Sequence, residues 1–157
     1  MEPLFPDETV QFTDADIKSP EWKLFFDEAY NHRGTGIGAV LISEQGTHLP
    51  AAAKLLFEED TVITNNMAEY EACILGLQMA LDYEILKLRV FGDSDLIIQQ
   101  SNETFRTRDP KLVPYHHKIK DLREKFEHIT FNHIPRVENS FAYALATLAA
   151  AMQFSDN

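Results

Sequence analysis

With 157 residues, 45% of them hydrophobic, the chain is long enough for one domain with a buried core and too apolar to be disordered throughout. A single cysteine, Cys73, excludes an internal disulfide framework and any multi-cysteine zinc site, and fits a reducing compartment, cytoplasmic or nuclear. The net charge of −11 argues against a general polyanion binder.

Residues 1–21 hold six acids against one lysine, and the first 20 show no sustained periodicity, so 1–20 read as an acidic tail or linker. This stretch lacks the apolar run of a signal peptide, so the chain is not expected to be secreted. A domain is expected over 21–152, with a short tail over 153–157. "WKLFFDEAY" sets Trp22, Leu24 and Phe26 against Lys23, Phe25 and Asp27, the alternation of a strand. After the turn "NHRGTG", the apolar run "IGAVLIS" predicts a second strand, and "THLPAAAKLLFEE" a third beyond "EQG". The period then switches. "TNNMAEYEACILGLQMALDY" places Met67, Tyr70, Ile74, Leu77 and Leu81 on one helical face, capped by Thr64 or Asn65. "LKLRVFGDS" predicts a fourth strand and "DLIIQQSN" a short helix. "DPKLVPYHHKIKDLREKF" predicts a further helix with Pro114 in its first turns, and "HITFNHIP" a fifth strand. In "ENSFAYALATLAA", Phe141, Leu145 and Leu148 recur at helical spacing behind a cap at Asn139 or Ser140. Three hairpin strands followed by strand–helix alternation imply an α/β fold, a mixed sheet with helices packed on it. Within it, residues 106–125 carry seven basic side chains against three acids, either a solvated helix face or a grip on phosphates.

Three acids stand where core packing does not ask for them. Asp27 lies inside an aromatic strand, Glu69 in the first turns of the long helix, and Asp93 at the C-terminal edge of the fourth strand. Singly they read as a strand-end residue, a partner of the helix dipole and an N-cap. Together they form a set of hard oxygen ligands suited to Mg²⁺ or Mn²⁺, ions that in pairs clamp a phosphodiester during in-line displacement.

"LFFDEA", "TNNMAEYEACILGL", "LRVFGDSDLIIQQ" and "HIPRVENSFAYALATLA" in this order resemble the ribonuclease H domain, and most closely the archaeal-like ribonuclease H of plant gypsy-type retrotransposon polyproteins. The resemblance covers about residues 22–150. It implies a five-stranded mixed sheet of order 3-2-1-4-5 with flanking helices, and cleavage of the RNA strand of RNA–DNA hybrids with two divalent ions. Asp27, Glu69 and Asp93 match the first three family acids, with Glu28 replacing the glycine that usually follows the first. Asp27 and Asp93 would hold the ion that positions the nucleophilic water, and Glu69 the ion nearer the leaving group. Thr64, Asn65 and Asn66 match the segment that reads the minor groove, where a carboxamide meets both functions of a 2′-OH. Ser94 and Asp95 match a phosphate- or sugar-contacting pair whose second member is commonly Gln. Arg136 matches an arginine that stabilises phosphate charge, and His133 is placed to relay a proton or assist product release, although a strand-end histidine is more often structural. Tyr143 occupies the fourth acid's position. A phenol is neutral at pH 7 and a poor Mg²⁺ ligand, so activity is expected to be lowered.

The same residues admit a catalytically degenerate nucleic-acid-binding module of this fold. An integrase-like nuclease fits less well, because "TNN" suits hybrid binding. The implied partners are an RNA–DNA hybrid and a reverse transcriptase in the same polyprotein, with no membrane; a monomer is expected.

Overall fold

The computed structural model describes residues 19–56, 63–95, 97–98 and 109–152. The expected tails therefore lie almost wholly outside the described residues, as do Arg106 and Arg108 of the basic window. Of the short helix expected after Ser94, Asp95, Ile97 and Ile98 are helical, and the rest falls outside.

Five strands form one sheet in the order β3-β2-β1-β4-β5, as expected. β1 (Trp22–Asn31) turns into β2 (Gly34–Ile42), and β2 pairs with β3 (His48–Leu55), all antiparallel. α1 (Asn65–Asp82) then crosses to β4 (Lys87–Gly92), parallel to β1. α2 (Val113–Arg123) leads to β5 (His128–His133), parallel to β4. A 3₁₀ turn, Arg136–Asn139, precedes α3 (Ser140–Ala151). α2 is shorter than "DPKLVPYHHKIKDLREKF" suggests. The Asp109 carboxylate accepts a hydrogen bond from the Lys111 backbone N–H at 2.9 Å, which folds 109–112 as a turn.

α1 packs on the sheet face that carries Leu24 and Phe26, and Tyr70, Leu77, Leu88, Val90, Ile119 and Leu122 close this core. Each such side chain contributes roughly 1.5–3 kcal/mol by leaving water. α3 covers the opposite face of β1, β2 and β3. Here the structure corrects the sequence reading. Phe141 and Leu148 point outward, 49% and 67% exposed, and the buried face is Ala142, Ala146, Ala149 and Ala150. The cause lies in β2, where a Cβ on Gly36 would collide with the Ala146 carbonyl and one on Gly38 would lie 2.5 Å from the Ala142 carbonyl oxygen. Glycine below and alanine above let helix and strand backbones approach, and no large side chain fits between them. The last turn of α3 is held by cations, which suit a helix C-terminus: Lys54 Nζ donates to the Met152 carbonyl at 2.7 Å and Arg33 Nη1 to that of Ala151 at 3.5 Å.

Candidate active site

The site begins with strand pairing. β1 and β4 run parallel with Phe25 opposite Phe91, their rings stacked at 4.9 Å. Asp27 and Asp93 each lie two residues further on, so the pairing sets them side by side at the C-terminal edge of the sheet. α1 brings Glu69 to the same edge. Its start is fixed by Thr64, whose Oγ1 accepts from the Met67 N–H at 3.2 Å. Asp27 is 3% and Glu69 6% exposed. Carboxylate oxygens of Asp27, Glu28 and Glu69 all lie within 4.8 Å of one another. Asp93 stands just beyond this trio.

Burial raises the pKa of Asp27, and the charge of Asp93 raises it further; the Glu28 backbone N–H, donating to Asp27 Oδ1 at 2.8 Å, pulls the other way. Burial likewise pushes Glu69 up, helped by the neighbouring charge of Asp27 and by a hydrogen bond between the two carboxyl groups. Burial and the nearby Asp27 charge thus both favour the protonated form of Glu69. Glu28 is raised by burial and by Asp93, against the opposing charge of Arg136. A divalent cation fits this set. Its donors are all hard oxygens, and Glu69 Oε2 is buried with no hydrogen-bond partner among the described residues.

A cleft of about 270 Å³ opens beside the acids, lined by Asp27, Glu28, Ala29, Tyr30, Asn65, Arg136 and Tyr143. A model of the family described as reverse transcriptase-like matches residues 26–149. The crystal structure of RNase H1 from the halophilic archaeon Halobacterium salinarum has a TM-score of 0.74 and 30% identity, over 82% of this chain and 96% of that one. The chain belongs to this family as a ribonuclease H-like domain. The curated ribonuclease HI of Halobacterium salinarum is 33% identical over 129 residues, 80% of this chain, and the chain spans 62% of that relative's length. A structure of LC11-RNase H1 in complex with an RNA/DNA hybrid matches with a TM-score of 0.71 and 28% identity, over 82% of this chain and 96% of that one.

Within this ribonuclease H-like domain the candidate residues fall into three groups. Asp27, Glu69 and Asp93 converge from β1, α1 and the end of β4. Asn65, Arg136 and Tyr143 line the cleft, with Tyr143 half exposed, and Thr64 and Asn66 flank Asn65 at the start of α1. Ser94 and Asp95 lie beside Asp93, where Ser94 Oγ accepts from the Ile97 N–H at 3.3 Å and caps the helical turn. His133 ends β5 opposite Gly92 and is exposed, outside the cleft lining. Two residues hold a place at the site that the sequence did not assign to them. Asn139 stands at the N-cap position of α3 but makes no capping bond. Its Nδ2 donates to the Phe26 carbonyl at 2.9 Å and to Asp93 Oδ2 at 3.4 Å, so it ties α3 to β1 and steadies the third acid. Glu28 joins the acidic trio, and its signal was the acid standing where the family pattern has glycine.

Proposed function

We propose that this domain is a metal-dependent endonuclease that cuts the RNA strand of RNA–DNA hybrids. The observation that carries the reading is the convergence of Asp27, Glu69 and Asp93 at one sheet edge, with a buried Glu69 oxygen that lacks a partner among the described residues. Asp27, Glu69 and Asp93 would hold Mg²⁺ or Mn²⁺. When bound, such ions make a water nucleophilic at neutral pH and stabilise charge on the leaving oxygen. Thr64, Asn65 and Asn66 present donors and acceptors to the minor groove and so favour the strand that carries 2′-OH groups. Arg136 places a cation at the cleft wall against the scissile phosphate. Ser94 and Asp95 approach the adjoining backbone, and His133, exposed at the end of β5, relays a proton or assists product release. Tyr143 lowers the activity, because it offers the cleft a neutral ring in place of a carboxylate.

That same ring favours one second reading, a hybrid-binding module that has lost cleavage. Measuring cleavage of a labelled hybrid in Mg²⁺ or Mn²⁺ alongside hybrid binding separates the two. Cleavage abolished by Asp27→Asn with binding retained supports the nuclease; binding without any cleavage in the parent chain supports the module. Beyond the reaction, we place the domain in a retroelement polyprotein beside a reverse transcriptase, acting as a monomer in cytoplasm or nucleus. A dimer in sedimentation equilibrium would contradict the last assignment.

A further inference from the structure

We infer that Glu28 is itself a ligand of the divalent-metal site, supplying from β1 the carboxylate that Tyr143 does not supply from α3. The inference rests on the metal-site reading above and adds a residue to it.

Successive strand residues point to opposite faces. Asp27 pairs with Gly38, whose missing Cβ faces α3, so Asp27 lies on the α3 side of the sheet. Glu28 shares the face of Phe26, toward α1 and Glu69. The two neighbours therefore reach the strand end from opposite sides, and their oxygens still fall within 4.8 Å of each other and of Glu69. Tyr143 lines the same cleft as Glu28, so the lost acid and the gained one serve one space.

The plain alternative is a solvated strand-end glutamate neutralised by Arg136. Glu28 is only partly exposed, and among the described residues it forms no ion pair. Three carboxylates held together out of water need protons or a cation between them. Among the described residues the buried Glu69 Oε2 has no donor to meet it, and a cation held by Glu28, Asp27 and Glu69 provides the missing partner.

The test is calorimetric titration of Mn²⁺ into the whole chain without nucleic acid, with the Mn²⁺-induced rise in melting temperature as a second readout. Glu28→Gln keeps size and removes charge, and it is expected to weaken Mn²⁺ binding by about tenfold or more, since affinity at such sites follows the number of charged ligands. Adding Tyr143→Asp to Glu28→Gln should restore most of the loss. Glu28→Asp, which keeps the charge but shortens the reach, should also weaken binding and serves where Glu28→Gln folds poorly. If Glu28→Gln and Glu28→Asp bind Mn²⁺ within twofold of the parent while Asp27→Asn abolishes binding, Glu28 is no ligand and the metal-site reading survives. If the parent takes up no Mn²⁺ at millimolar concentration, that reading falls and this inference with it.

Discussion

Replacing Gly38 by alanine tests the contact that seats α3 on the sheet. A Cβ at this position would lie 2.5 Å from the Ala142 carbonyl oxygen, 2.7 Å from the Ala146 nitrogen and 2.8 Å from Leu145 Cβ. Comfortable heavy-atom contacts lie near ~3.5 Å and beyond, so helix and strand must separate by roughly an ångström. Overpacking of a tight interior costs about 1–3 kcal/mol. Two of the three obstructing atoms are backbone, which no change of rotamer can move, so the expected cost lies toward the upper end, ~2–3 kcal/mol. For a domain of this size each kcal/mol shifts the melting temperature by roughly 2–4 °C, which gives a fall of about 4–12 °C by calorimetry. Gly38 also pairs with Asp27, so a retreat of α3 carries Asn139 and Tyr143 away from the acids, and hybrid cleavage should fall with it. Gly36→Ala strikes the same helix at Ala146 and Ala150. One displacement relieves both clashes, so the double substitution should cost less than the sum of the two. A Gly38→Ala chain that melts within 1 °C of the parent, with unchanged cleavage, would refute the idea that close backbone approach holds this helix.

Three further outcomes are expected. In EDTA, the folded state raises the Asp27 pKa from 3.8 to about 7 and raises that of Glu69 as well, so the stability from their retained protons is present below about pH 4 and is lost as pH climbs through the raised values. Glu69→Gln should therefore resist urea better than the parent at pH 8 in EDTA, and saturating Mg²⁺ should reverse that order; a parent that remains the more stable in EDTA contradicts the assignment. Tyr143→Asp should raise hybrid cleavage at least about tenfold, which needs only ~1.4 kcal/mol of barrier, and Tyr143→Phe should leave it unchanged. The reverse pattern, no gain from Asp and collapse with Phe, would make the hydroxyl a working group. Finally, Lys118, Lys120, Arg123 and Lys125 lie on or just beyond α2, and replacing all four by Gln should flatten the salt dependence of hybrid binding; an unaltered slope assigns the phosphate contacts elsewhere.

The sheet was legible because local signals agreed: period two over three short-looped runs, then a change to helical period at Thr64. The acids Asp27, Glu69 and Asp93 stood out because each occupies a place where packing asks for something else: inside β1, in the first turns of α1 and just past β4. What escaped depends on distances across the fold. The outward stripe of α3 has the better apolar spacing, and only the depth of the groove over Gly36 and Gly38 selects the alanine face instead. Asn139 has the composition of a cap, but its Nδ2 is drawn to a β1 carbonyl across the fold, and the side chain makes no capping bond. Glu28 follows an acid on a strand, and strand alternation alone would send the two apart; in the fold their oxygens lie within 4.8 Å of each other and of Glu69.

The central position of β1 also bears on the order in which the chain folds. Asn31 and Gly34 pair across a tight turn, whereas Trp22 must find Leu88, 66 positions along the chain. Closing the longer loop costs roughly 3 kcal/mol more in chain entropy, so the meander forms early and β4 docks late. Asp27 and Glu28 belong to the early half and Asp93 to the late one, so a partly folded chain holds no complete ligand set. On the metal-site reading, an ion would be a passenger of folding and not its nucleus. Stopped-flow measurements should find the refolding rate indifferent to Mn²⁺ and the unfolding rate slowed by it; refolding accelerated by the ion would mean that the ligands meet before the sheet is complete.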